Sequence, residues 1–219
     1  MKWLLTIVTT LFMAHHMSAQ NKTDWANFGK YEAANAQEKS GQVVFMGNSI
    51  TEGWKNQRPE FFSKNSYIGR GIGGQTSAQM LVRFRKDVID LQPKAVVILA
   101  GTNDIAQNQG YISQENILGN IQSMVELAQH HHIKVYLCSV LPAYEFGWRK
   151  EIQDVANQIV QLNTLIRSYA ESKGIPYVDY HSALKDERNG LSVEHAKDGV
   201  HPTAAAYEIM EATLQKQLK

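Results

Sequence analysis

The chain has 219 residues, of which 43% are hydrophobic and 20% charged; the length fits one domain of about 100–200 residues, and the composition excludes a collagen-like, low-complexity or broadly disordered chain. Lys and Arg number 22 against 21 Asp and Glu, so no basic excess exists to neutralise nucleic-acid phosphates. A single cysteine, Cys138, excludes an internal disulfide or a CxxC metal site.

In chain order, Lys2 precedes an apolar run, Trp3 to Ala14, and then Met17-Ser18-Ala19-Gln20. A positive start, an apolar stretch of about 7–15 residues and a small residue at the end describe a secretory signal. It is read as residues 1–19, with cleavage after Ala19. The run is shorter than the roughly 20 residues of a membrane span, and it holds no cysteine to carry a lipid. The expectation is an exported protein, periplasmic or extracellular, with no stable membrane anchor, whose residues 20–219 form a single domain. Residues 20–40 read as a polar lead-in with a short helix.

From there apolar runs alternate with amphipathic stretches. Gln42–Met46, Ser66–Gly69, Ala95–Ala100, Lys134–Val140 and the weaker Ile175–Asp179 are short and bounded by Gly or Pro. Continuous apolar runs of this kind predict strands buried on both faces. Between them, helical stripes run through Met80, Phe84 and Val88; through Ile117, Ile121, Met124, Val125 and Ala128, with Ser113 as N-cap; through Ile152, Val155, Ile159, Leu162 and Ile166, ended by Gly174; and through Ala206, Met210 and Leu214, begun after Pro202. Strands alternating with helices predict a parallel sheet covered on both faces.

In such sheets ligands bind beyond the carboxyl ends of the strands. The segments there are Gly47-Asn48-Ser49-Ile50-Thr51, Gly71-Ile72-Gly73-Gly74-Gln75-Thr76 and Gly101-Thr102-Asn103-Asp104, together with Asp198-Gly199-Val200-His201-Pro202 before the last helix. Each alone has an ordinary explanation: Ser49 as a helix cap, Gly73-Gly74 as a tight turn, Asn103 as a turn residue, Asp198 and His201 as an Asx turn. Together they offer a nucleophile, a base with an orienting carboxylate, and oxyanion donors, the roles acyl transfer requires. Glycine at 74 would let the backbone approach closely.

These four blocks, in this order, resemble the SGNH hydrolases, also called GDSL-type esterases and lipases, from about residue 42 to the C-terminus. The Gly-Ile-Gly-Gly run is similar to the branch that includes platelet-activating-factor acetylhydrolase. The resemblance implies an α/β protein with a three-layer, flavodoxin-like α/β/α fold, a parallel sheet of about five strands, and neither metal nor organic cofactor. By position, Ser49 matches the nucleophile, and Asp198 and His201 match the rest of the triad. Ser49, Gly74 and Asn103 match the oxyanion hole. One departure is Asn48, where the family usually has Asp; that residue is not the triad acid.

Other chemistry-bearing groups have competing readings. His130-His131-His132 ends a predicted helix, and Glu194, His195, Asp198 and His201 form a cluster dense enough to hold zinc; the Ser, Gly and Asn blocks favour the triad over metal. Cys138 reads as a core residue. Trp54, Tyr144 and Trp148 would line the acyl or alcohol site or pack in loops. The expected function is a serine esterase removing short acyl groups, chiefly acetyl, from a small-molecule or glycan ester. The alternatives are a lysophospholipase or other lipid acylhydrolase, and a glycan-binding protein of the same fold without turnover.

Overall fold

The computed structural model describes residues 24–218; the expected signal, residues 1–19, lies outside them. The elements in order are α1 (Glu32–Asn35), β1 (Val43–Gly47), α2 (Ser49–Gln57), α3 (Pro59–Asn65), β2 (Tyr67–Gly71), α4 (Ser77–Asp87), a 3₁₀ turn at Ile89–Leu91, β3 (Ala95–Ile98), α5 (Thr102–Ile105), α6 (Gln114–His130), β4 (Lys134–Cys138), α7 (Val155–Ser172), β5 (Tyr177–Val178), α8 (Tyr180–Leu184) and α9 (Ala204–Gln215).

The strands form one parallel sheet in the order β2-β1-β3-β4-β5. Val43 pairs with both Tyr67 and Ala95, Ala95 with Lys134, and Leu137 with Tyr177. Alternation within each strand sends side chains to two separate cores. Val44, Met46, Val96, Ile98, Val135 and Leu137 pack under α4, α6 and α7. Val43, Phe45, Val97, Tyr136, Cys138 and Val178 pack under α2, α3, α8 and α9. Burial on both faces is the physical reason the strands read as unbroken apolar runs. The result is the expected three-layer α/β/α architecture, with its switch in winding direction between β1 and β3.

Several boundaries differ from the sequence reading. β2 starts at Tyr67 because Ser66 adopts a left-handed conformation, φ +55°, as the cap of α3. β5 is reduced to two residues, and α7 begins at Val155, so Ile152 of the predicted stripe stands before the helix. The short helices α3, α5 and α8 were not evident in the periodicity, since four to seven residues give too few turns to show a stripe.

The lead-in holds the predicted short helix but is no loose polar segment. Tyr31 donates from its hydroxyl to Gly71 O, and Arg70 of edge strand β2 reaches Asn35 Oδ1 at 2.8 Å and Glu38 Oε1 at 3.0 Å.

Candidate active site

Ser49 is the first residue of α2 and follows β1 with only Asn48 between. Asn48 is the N-cap, its Oδ1 accepting from Ile50 N at 3.0 Å. The strand meets the helix closely: a Cβ on Gly47 would lie 2.0 Å from Thr51 Oγ1. Across the turn, a Cβ on Gly71 would lie 2.2 Å from Glu52 N and 2.6 Å from Asn48 O. Two strand-end glycines therefore let β1 and β2 abut the start of α2, and the neutral Asn48 amide meets the capping need without adding charge beside Ser49.

His201, 152 positions further on, brings Nε2 to 2.9 Å from Ser49 Oγ. Its Nδ1 lies 2.7 Å from Asp198 Oδ2. The other carboxylate oxygen accepts from Val200 N at 3.0 Å and His201 N at 2.8 Å. Gly199, at φ +77°, makes the turn that folds those two N–H groups back onto the carboxylate. Partial burial raises the Asp198 carboxyl, but these hydrogen bonds outweigh it and hold the pKa below its ordinary value. A charged Asp198 accepts the Nδ1 proton, which leaves Nε2 as the acceptor for the Ser49 hydroxyl.

The other expected oxyanion donors are Gly74 and Asn103. Gly74 has φ +75°, and a Cβ there would meet nothing within 4 Å. Glycine is thus favoured by the left-handed backbone, and no protein atom crowds the position. Asn103 is not in an open loop: it is a buried residue of α5. Its Nδ2 donates to Gln75 O at 2.9 Å and its Oδ1 accepts from Asn108 Nδ2 at 3.1 Å. Those bonds fix the amide with its nitrogen towards the 71–76 loop. The adjacent Asp104 holds α4 in place, accepting from Ser77 N at 2.9 Å.

The aromatic residues divide. Trp54 is 1% exposed and stacks between Phe61 and Tyr207 with centroids 5.5 and 5.6 Å away, its Nε1 donating to Glu211 at 3.1 Å. It is a core residue, not a lining of the site, because α2 turns that face towards α9. Trp148 and Tyr144 are exposed. The Trp148 ring lies 6.4 Å from that of His201 and its Nε1 donates to Asn108 Oδ1 at 3.2 Å. An open depression of about 480 Å³, of mixed polar and apolar lining, borders His201 and Asp198 with Gln57, Lys197, Pro202, Thr203 and Ala204.

Sequence reasoning missed Asn108, which links Trp148 to Asn103, and the fully buried Arg83, which donates to Gly47 O at 3.0 Å, Arg70 O at 2.9 Å and Gln75 Oε1 at 2.5 Å. A charged residue one position off an apolar stripe carries no sign of which carbonyls it will meet. Cys138 is buried, with its thiol pushed up to about 12 by desolvation. His131 and His132 cap α6 at the opposite edge of the sheet. Among the described residues no group of three or more His, Cys, Asp or Glu side chains is placed to hold a metal ion.

The model of the GDSL-like lipase/acylhydrolase family matches residues 45–209. The structure of a GDSL-like lipase from Bacteroides thetaiotaomicron superposes with a TM-score of 0.86 at 50% identity, over 88% of this chain and 97% of that one. The human platelet-activating factor acetylhydrolase IB subunit alpha1 is 28% identical over 127 residues, 54% of this chain and 51% of its own length. The uncharacterized lipoprotein YqeF of Bacillus subtilis is 35% identical over 81 residues, 36% of this chain and 33% of its own. The chain thus spans a third to a half of the length of these two relatives.

Proposed function

Given that the chain belongs to the GDSL-like lipase/acylhydrolase family and is a carboxylic ester hydrolase, we propose that it removes short acyl groups, acetyl above all, from carbohydrate esters, using Ser49, His201 and Asp198. The observation that carries this reading is the unbroken chain from Ser49 Oγ through the imidazole to the Asp198 carboxylate, at 2.9 and 2.7 Å. His201 takes the hydroxyl proton as Ser49 Oγ attacks the ester carbonyl, and Asp198 stabilises the imidazolium. The tetrahedral oxyanion is met by the N–H groups of Ser49 and Gly74 and by the Asn103 amide. His201 then gives its proton to the departing alcohol oxygen, and a water, deprotonated by the same nitrogen, releases the acid.

The leaving alcohol departs towards His201, so whatever borders that ring contacts the alcohol. Its neighbours are Trp148 and the depression lined by Gln57, Lys197, Pro202, Thr203 and Ala204. An exposed indole face with its N–H already anchored suits the apolar face of a sugar, and the polar side chains of the depression suit hydroxyls. A long acyl chain instead needs an apolar channel, each buried CH₂ contributing about 0.8 kcal/mol. Side chains of His201 and Asp198 are 44% and 55% exposed, which keeps the leaving-alcohol side open to a bulky alcohol such as a sugar. Export by residues 1–19 would place the enzyme with extracellular or periplasmic glycans.

Two measurements test the reading. A serine-directed phosphonate labels the wild type and not Ser49→Ala; labelling that persists in the variant removes Ser49 from the mechanism. Across acetyl, butyryl, octanoyl and palmitoyl esters, kcat/KM is highest for acetyl, and acetate is released from acetylated glycans. A preference rising to octanoyl or beyond favours a lipid substrate.

A further inference from the structure

Residues 24–38 precede the first residue that the family model matches, Phe45, yet Ala26 and Tyr31 bond the loop carrying Gly74, Trp25 bonds Gln79 of the helix that follows it, and Lys30 reaches it through Glu52. Gln75 Nε2 donates to Ala26 O and Gln79 Nε2 to Trp25 O, each at 2.8 Å. The Tyr31 hydroxyl donates to Gly71 O at the root of the loop. Lys30 Nζ meets Glu52 Oε1 at 2.5 Å, and the other oxygen of that carboxylate accepts from Gly73 N at 2.8 Å. The ties therefore fall at both ends of the loop and at its crown.

Gln75 is the junction. It is 3% exposed, and both ends of its side-chain amide are used, Nε2 by Ala26 O and Oε1 by Arg83 Nε at 2.5 Å. Its backbone carbonyl accepts from Asn103 Nδ2. Arg83 in turn holds Gly47 O, two residues before Ser49. One residue thus joins the N-terminal segment, the strand that presents Ser49, and two of the three expected oxyanion donors. Lacking side chains, glycines at 73 and 74 give the loop a backbone freedom that Glu52 at Gly73 N and Asn108 Nδ2 at Gly74 O, 3.3 Å, already oppose, and an oxyanion hole works only when its donors are aimed before the reaction. Something outside the loop must remove that freedom.

We infer that residues 24–38 form a strap that fixes the 71–76 loop as an oxyanion hole, with Gln75 and Tyr31 as its positioning residues; the inference rests on the reading of the Ser49 site above. Gln75→Glu keeps an oxygen for Arg83 but replaces the donor to Ala26 O with an acceptor, so it removes the strap's bond to the middle of the loop and leaves its bonds to Gln79, Gly71 and Glu52 in place. Tyr31→Phe removes a single hydroxyl and preserves packing. Hydrogen exchange at the amides of residues 72–76 is expected to quicken in both variants. On p-nitrophenyl acetate, kcat falls about 10- to 100-fold in Gln75→Glu, the scale of a displaced reacting geometry, and less in Tyr31→Phe, with KM within about twofold of the parent.

Exchange and kcat both at parental values in the two folded variants overturn the strap. So does a lower Tm with parental kcat, which makes the contacts structural only. A parent that neither turns over esters nor takes up phosphonate at Ser49 refutes the reading of the site instead; exchange at 72–76 then decides the strap by itself, parental rates overturning it.

Discussion

Asp198 carries two duties that a single substitution separates. Its Oδ1 gathers the Val200 and His201 backbone N–H groups, while Oδ2 faces the imidazole. Asp198→Asn keeps an acceptor for the backbone and loses the negative charge that fixes the His201 tautomer. The turn is therefore expected to persist, with unchanged far-UV circular dichroism, while kcat near neutral pH falls by up to about 10⁴-fold. Activity within a few fold of the parent would show that another group orients His201. Asn103 differs, because it is buried and bonded at both ends. Asn103→Ala is expected to lower kcat about 10²–10³-fold through the lost oxyanion donor. It also takes the Asn103 donor from the Gln75 carbonyl, so stability drops by about 1–3 kcal/mol. Denaturant titration alongside turnover separates the two effects, and near-normal kcat in a destabilised protein would make Asn103 structural.

Among the elements, β2 meets the start of α2 backbone to backbone. A methyl group on Gly71 would press on backbone atoms of Asn48, Thr51 and Glu52, none of which can swing aside as a side chain would. Gly71→Ala is expected to push β2 away from the start of α2, with a destabilisation of roughly 1–3 kcal/mol for overpacking and loss of Ser49 phosphonylation. Parental Tm and labelling would mean that the turn has slack. The α8 element makes a different point. His181 is buried with its N–H donating to Ser139 Oγ at 2.8 Å and its Nε2 without a hydrogen-bond partner. Desolvation, helped by the charges of Lys185 and Arg167 and opposed by Asp179, lowers its pKa. The unfolded chain then binds a proton below the ordinary value of 6.5 that the folded chain resists. Stability contributed by neutral His181 is present above that value and is lost as pH falls through it. Thermal melts between about pH 7 and 5 should show this loss in the wild type and a flatter profile in His181→Leu; equal slopes would exclude the imidazole as the source.

At the scale of the whole molecule, the amino-acid sequence by itself determined which segments become strands, because burial on both faces demands unbroken apolar runs such as Ala95–Ala100. It also determined that Ser49, Gly74, Asn103 and the Asp198–His201 pair emerge at one edge, because a parallel sheet sends all its strand ends the same way. The Asp198–His201 spacing was legible too, since three residues with a glycine between them can close a hydrogen-bonded turn. Tertiary structure alone decided the rest. Trp54 looked like a site residue and is core, because periodicity places a side chain on a face without saying what covers that face. Gln75 and Arg83 gave no signal, because a buried polar group is defined by the carbonyls and amides that long-range packing delivers to it, here from residues 26, 47 and 70. The same holds for the distance that matters most: 152 positions of chain separate Ser49 from His201, and only the packing of α9 beside α2 on one face of the sheet brings Oγ and Nε2 to 2.9 Å.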